Sequence, residues 1–272
     1  MLAYYSTHFS LVEVSTTFQG IPNPTRVRQW AESVPNDFIF NVLAFGGLTL
    51  HQRRPGTSSD NKKAGWADIA VEPPNVLFEE FKDSLGPLAE AGLLGLVILQ
   101  FPPWFEAGNA GLDYISRCQS ELAGLPLGIE FRNCTWLEPD DRLQATLELL
   151  IDLEIVTVTA DFPGSGELAP KLAAHVTSGD IGSLRLHGRS ATTWERVGPD
   201  GGYFADYSYS DADLTSLVPI LQSLQDEVRE THVSFHVSPA DGAVESCKRL
   251  LALLQAAEVE PDYTQWLPPI RK

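Results

Sequence analysis

The chain has 272 residues, 43% of them hydrophobic and 20% charged, a globular balance that fits one large α/β domain or two small ones. Its 36 acidic residues against 19 basic give a formal charge of −17, which repels phosphate backbones and excludes a broad nucleic-acid-binding face while leaving room for a small basic pocket. No stretch approaches the roughly eighteen consecutive apolar residues of a membrane span, so a membrane is excluded as a partner.

The chain opens into a predicted helix, Leu2–Phe9, with no basic patch and apolar run of the secretory kind. From there short β-branched or apolar runs alternate with stretches of helical periodicity. The predicted strands are Leu11–Val14, Phe38–Leu43, Leu94–Gln100, Leu127–Phe131, Ile155–Asp161, Ser183–Leu186 and His232–His236. Predicted helices are Pro24–Ser33 after the cap Asn23, Asn75–Ala91 stopping before Gly92, Pro139–Leu153, Asp211–Glu227 and Gly242–Ala257. Gln52–Asp68 and Arg189–Tyr209 read as loops, and Gly164-Ser165-Gly166 as a turn, since it lacks the Lys and Ser/Thr of a phosphate-binding loop.

Alternation of strand and helix implies parallel strands joined by crossovers, and Leu96-Val97-Ile98-Leu99, apolar on both faces, implies helices covering the outside. The expected architecture is a single α/β domain over residues 1–272, a TIM-like (β/α) barrel. Seven strands are one short of the eight of a closed barrel, and the missing one would precede Met1. Either the barrel lacks its first strand, or the start codon lies downstream of the true one. A gap of that kind would expose an apolar seam between Leu11–Val14 and Thr231–His236 and favour a homodimer.

Charged residues stand where a barrel wants Val, Ile or Leu, and a buried unpaired charge is costly. Glu13 lies in Leu11-Val12-Glu13-Val14. Gln100, Glu130, Asp161 and His236 fall at strand C-terminal ends, where barrel enzymes place their chemistry. Period two puts Glu130 and Arg132 on one side of a strand, and Arg185 and His187 on one side of another, with Arg189 just beyond. One reading is a structural salt-bridge network plugging the barrel mouth. The other is a polar pocket with Glu13 or Glu130 as general base, His187 as proton donor, and Arg132, Arg185 and Arg189 clamping a small phosphorylated or carboxylated molecule. Gln100, Asp161 and His236 would complete its lining.

No HxH or HExxH pattern marks a metal site. Glu13, Asp161, His187 and His236 would surround a metal only if the fold gathered them, so no metal is assigned and no cofactor is identified. The aromatics Trp104, Trp136, Trp194, Tyr203 and Tyr207 are candidates for stacking a ring or for core and lid packing. Cys118, Cys134 and Cys247 form no CxxC pair, which suits buried, inert thiols in a reducing cytoplasm.

The same residues carry a family resemblance. Tyr4-Tyr5 with Phe9, Val12-Glu13-Val14 with Thr17-Phe18, Trp30, Gln100-Phe101-Pro102-Pro103, Glu130-Phe131-Arg132 with Trp136, and Arg185-Leu186-His187-Gly188-Arg189 together resemble the YecE-like family, domain of unknown function 72. The resemblance implies a (β/α) barrel and no particular reaction. Members similar to it usually carry a Gly-Thr-Ser-Gly-Trp segment before the position of Met1. They also have Asn-Ser-Thr-Phe-Tyr where Ser15-Thr16-Thr17-Phe18-Gln19 stands, a lysine near Leu43, Thr-His at Thr49-Leu50, and Asn-Asn-Asp at His236-Val237-Ser238. The expectation is therefore an enzyme, a hydrolase or isomerase of a small anion, or a barrel that has kept its pocket and lost the reaction.

Overall fold

Each apolar run becomes a strand because its side chains are covered on both faces, and each amphipathic stretch becomes the helix that covers it. The computed structural model describes residues 2–52, 70–162, 172–190, 205–238 and 240–257. Most of the Gln52–Asp68 loop, the Gly164-Ser165-Gly166 turn, Trp194 and Tyr203 lie outside the described residues. Contacts divide the chain into two compact units, the first running to Trp136 and the second starting at Leu137.

In the first unit the order is α1 (Leu2–Tyr5), β1 (Leu11–Val14), α2 (Pro24–Glu32), β2 (Ile39–Leu43), α3 (Asn75–Glu90), β3 (Leu94–Gln100), α4 (Asn109–Glu121) and β4 (Leu127–Glu130). The four strands pair in parallel in chain order. Leu96 through Leu99 are fully buried, so β3 has no solvent face. Asn23 caps α2 by accepting from Thr25 N–H at 2.8 Å, with Pro24 at the first helical position. At the end of α3, Gly92 takes φ +68, a left-handed stop that other residues pay strain to adopt. Helix α1 ends at Tyr5, short of the expected Phe9. The Ser6 and Thr7 hydroxyls bond the carbonyls of Ala3 and Tyr4 at 3.0 and 2.8 Å, a local alternative to the helical ladder.

The second unit runs α5 (Asp140–Asp152), β5 (Val156–Asp161), β6 (Ile181–Leu186), β7 (Ala205–Asp206), α6 (Asp211–Gln225), β8 (Glu230–Phe235), β9 (Val237–Ser238) and α7 (Ala240–Ala256). Strands β5, β6 and β8 are parallel neighbours in that order, and β7 pairs separately with β9. All seven expected strands are present, with ends within two residues of expectation. Parallel strands alternating with helices in both units give the chain its fold class, an α/β, TIM-like (β/α) barrel. Among the described residues no helix is long and apolar enough to cross a membrane.

At the start of β8, buried His232 meets Glu230 (Nε2 to Oε1, 3.1 Å). The hydrogen bond from His232 is the main cause that holds the Glu230 carboxyl below its ordinary value. A depressed folded value adds stability above the unfolded value, near 4.3, and that stability is lost as pH falls through the folded one. Glu230→Gln is expected to cost about 1 kcal/mol at pH 7. The deficit should shrink in urea titrations as pH falls below the unfolded value, and a pH-independent deficit would assign the loss to packing.

Candidate functional site

Strand register builds the first cluster. Gln100 at the end of β3 lies opposite Glu130 at the end of β4, and Arg132 follows two residues on, on the same side. Arg132 Nε donates to Glu130 Oε1 at 2.7 Å, and its Nη2 donates to Gln100 Oε1 at 2.9 Å. Glu130 is fully buried, Arg132 and Gln100 nearly so. A planar guanidinium satisfies a carboxylate and an amide oxygen with two of its edges, as a buried ion pair requires. Glu13, half-buried on β1, stands opposite Asn41 in register.

The second unit brings together the other five expected residues. Asp161 ends β5, Arg185 is the penultimate residue of β6, and His187 and Arg189 follow that strand, with His236 just past β8. Arg189 Nε reaches both Asp161 oxygens (3.0 and 2.8 Å), and its Nη1 reaches Asp213 Oδ1 at 3.2 Å. Arg185 Nη2 lies 3.2 Å from His236 Nε2. An arginine only donates, so in this contact the ring nitrogen is the acceptor. His187 stacks on Phe162 (5.2 Å, 9°) and leans on His236 (5.0 Å, 31°). Imidazoles and guanidinium thus form one continuous, buried face.

Electrostatics separate the members of this set. Burial holds the Asp161 carboxyl above its ordinary value against the opposing hydrogen bonds of Arg189 and Tyr209. For Arg189, desolvation favours the neutral form, but the Asp161 and Asp213 carboxylates outweigh it and hold the guanidinium above its usual range. Slight burial would raise Asp213, yet donors from Ser210, Tyr207 and Arg189 hold it low.

Three participants were not among the expected site residues. Tyr209, fully buried, donates from Oη to Asp161 Oδ2 at 2.9 Å and accepts from Gly188 N–H at 2.9 Å. Asp213 closes a capping box with Ser210 at the start of α6, and the Ser-x-x-Asp pattern of 210–213 was its available signal. In the first unit, His51 Nδ1 is 2.9 Å from Thr49 Oγ1, next to Leu50 with φ +64 and against the edges of Phe18 and Trp104.

Other candidates resolve into packing. Trp136 is fully buried, stacks on Phe105 and Phe131, and donates from Nε1 to the Phe105 carbonyl at 2.7 Å. Trp104 donates to the Leu50 carbonyl at 3.3 Å, and Tyr207 to Asp213 Oδ2 at 3.0 Å. Burial pushes the Cys118 thiol up to about 12 and that of Cys247 up to about 11, far from a reactive thiolate. Among the described residues, Glu13, Asp161, His187 and His236 form no group able to hold a metal ion.

The family model described as "Protein of unknown function DUF72" matches residues 1–269. The UPF0759 protein YunF of Bacillus subtilis (strain 168) is 29% identical over 260 residues, covering 93% of this chain and 86% of that protein. A DUF72 family protein of Enterococcus faecalis V583 superposes with TM-score 0.79 at 23% identity, over 94% of this chain and 93% of that one. One from Thermotoga maritima MSB8 gives 0.68 at 24% identity, over 92% and 85%. These structural likenesses carry the fold and not an activity. The chain belongs to the DUF72 family, proteins of unknown function built on an α/β, TIM-like barrel.

Proposed function

We propose that this DUF72 protein is an enzyme, a hydrolase or isomerase, acting on a small phosphorylated or carboxylated molecule at the C-terminal ends of its strands. The observation that supports this most is Arg185. Arg185 is 1% exposed near the end of β6, and its guanidinium lies against the His236 ring, which in turn leans on His187. The planar fork of an arginine suits a planar, bidentate anion, and this one stands at the strand ends where barrels place their chemistry. In this reading Arg185 anchors the anion, with Arg132 and Arg189 as the further clamp residues of their own clusters. His187 is the proton donor, Glu130 or Glu13 the general base, and Gln100, Asp161 and His236 line and orient.

A second reading is a non-catalytic binding barrel. Arg132 already carries Glu130 and Gln100, and Arg189 already carries Asp161 and Asp213, as structural ion pairs would.

The test is a thermal-shift scan of the full chain against inorganic phosphate, phosphosugars and organic acids, with Arg185→Ala and Arg185→Lys beside it. A ligand at a hundredfold excess over its Kd adds about 2.7 kcal/mol, several degrees of melting temperature for a chain of this size. Stabilisation is expected in the wild type, absent from Arg185→Ala and weakened in Arg185→Lys, followed by turnover of the stabilising compound. Binding with no turnover selects the second reading, and no shift with any anion overturns the anion site and leaves the arginines as structural partners of Glu130, Asp161 and Asp213.

A further inference from the structure

The two sides of Arg189 differ. Its inner edge donates from Nε to both oxygens of Asp161, whose side chain is 4% exposed. The Nη1 edge makes a longer contact, 3.2 Å, with Asp213, and these two side chains are 26% and 22% exposed. The inner contact is dry, bidentate in acceptor and supported by Tyr209. The outer one is wet and single.

Asp213 does not depend on that contact. Its Oδ2 accepts from Ser210 N–H (2.9 Å), Ser210 Oγ (2.6 Å) and Tyr207 Oη (3.0 Å), while Arg189 touches Oδ1. Losing Arg189 would leave Oδ2 fully bonded and Oδ1 open to water. The segment carrying Asp213 is independently pinned. Tyr207 N–H donates to the Ser238 carbonyl at 3.2 Å, and Arg249 donates to the Tyr209 carbonyl at 2.8 Å and pairs with Asp211. Release of Arg189 therefore needs no unfolding of the segment, only a side-chain adjustment of a part-exposed pair.

We propose that Asp213 competes for an anion subsite on the outer edge of Arg189, its Oδ1 standing where a carboxylate or phosphate oxygen of a small ligand binds once that single contact is released. The chemistry that fits is an anionic oxygen taking the Nη edge of Arg189 in place of Asp213 Oδ1. With Asp213 in place, one guanidinium faces two carboxylates and the local charge is negative, so the subsite screens out weak anions. A ligand must offer a stronger acceptor than Asp213 to enter. The proposal rests on the anion-site reading above and adds a competitor to it.

Asp213→Asn isolates the competing charge. The asparagine carbonyl can accept from Ser210 as Oδ2 does, whereas its NH₂ cannot hold a guanidinium. Calorimetric titration of the full chain with inorganic phosphate and with malonate is the measurement. At least one anion is expected to bind Asp213→Asn about tenfold more tightly than wild type, the scale of one like charge removed from a partly screened site. Ser210→Ala weakens the same helix cap but leaves the carboxylate on Arg189, so it should bind as the wild type does. Adding Arg189→Lys, which keeps a charge for Asp161 and removes the fork, should abolish the gain. A preference for phosphate or malonate names the ligand chemistry. Arg185-dependent anion binding that is unchanged by Asp213→Asn, or a gain that survives Arg189→Lys, overturns the competitor and leaves the site reading standing. No anion binding by either protein removes both.

Discussion

Arg189→Ala is expected to cost about 3 kcal/mol at pH 8, the low end for breaking a buried ion pair because Arg189 itself is 26% exposed. The cause lies with the partner left behind. Asp161 is 3% exposed and would keep only the Tyr209 hydroxyl of its side-chain donors. Burial already holds its carboxyl above the ordinary value, and without the guanidinium it rises further. A carboxyl raised in the folded state binds its proton there more readily than in the unfolded chain, so folding is favoured as pH falls and penalised as pH rises. The deficit against wild type should therefore be largest at pH 8 and shrink by pH 5. Urea unfolding at both values checks this, and Arg189→Lys should recover much of the loss. Equal deficits at the two pH values would show that the alanine removed packing rather than charge compensation.

What the sequence displays here is local pattern, and what it hides is long-range pairing. Strand β3 was legible because Leu96–Leu99 is apolar on both faces, which only a doubly covered strand tolerates. The Glu130–Arg132 pair was legible because period two alone places both on one side. Helix α4 was not expected. It begins at Asn109 after Gly108, which has no side chain to cap it, and its buried face includes Gly111 and Cys118 beside Tyr114 and Ile115, too weak a stripe to stand out. The partners of Arg189 were invisible because Asp161 lies 28 residues before it and Asp213 24 after. Read from sequence, Arg189 is a free cation awaiting an anion. In the fold it already carries two carboxylates, which turns the question from whether it binds an anion to which one it exchanges.

Gly188→Ala should be the other severe change, with a loss of about 2–4 kcal/mol from left-handed strain and overpacking together. Gly188 has φ +80, and a methyl placed there would stand 2.7 Å from Tyr207 Cβ and 2.9 Å from its Cγ. Those atoms sit near the Tyr207 backbone, so they cannot swing away as the tip of a long side chain could. Backbone relaxation would in turn disturb Gly188 N–H, which donates to the buried Tyr209 hydroxyl, and with it the donor to Asp161. Gly20→Ala, with nothing within 4 Å of the added methyl, supplies the control and should stay within about 0.5 kcal/mol of wild type. The two variants also separate conformational strain from function. If Gly188 only relieves a turn, the folded fraction of Gly188→Ala should bind phosphate with wild-type affinity. If the turn aims Arg189, affinity should fall in the folded molecules as well, because the guanidinium begins one residue beyond the strained position. Chemical denaturation and phosphate titration of one preparation read both quantities, and a variant as stable as Gly20→Ala would show that Tyr207 gives way freely and that the turn carries no strain.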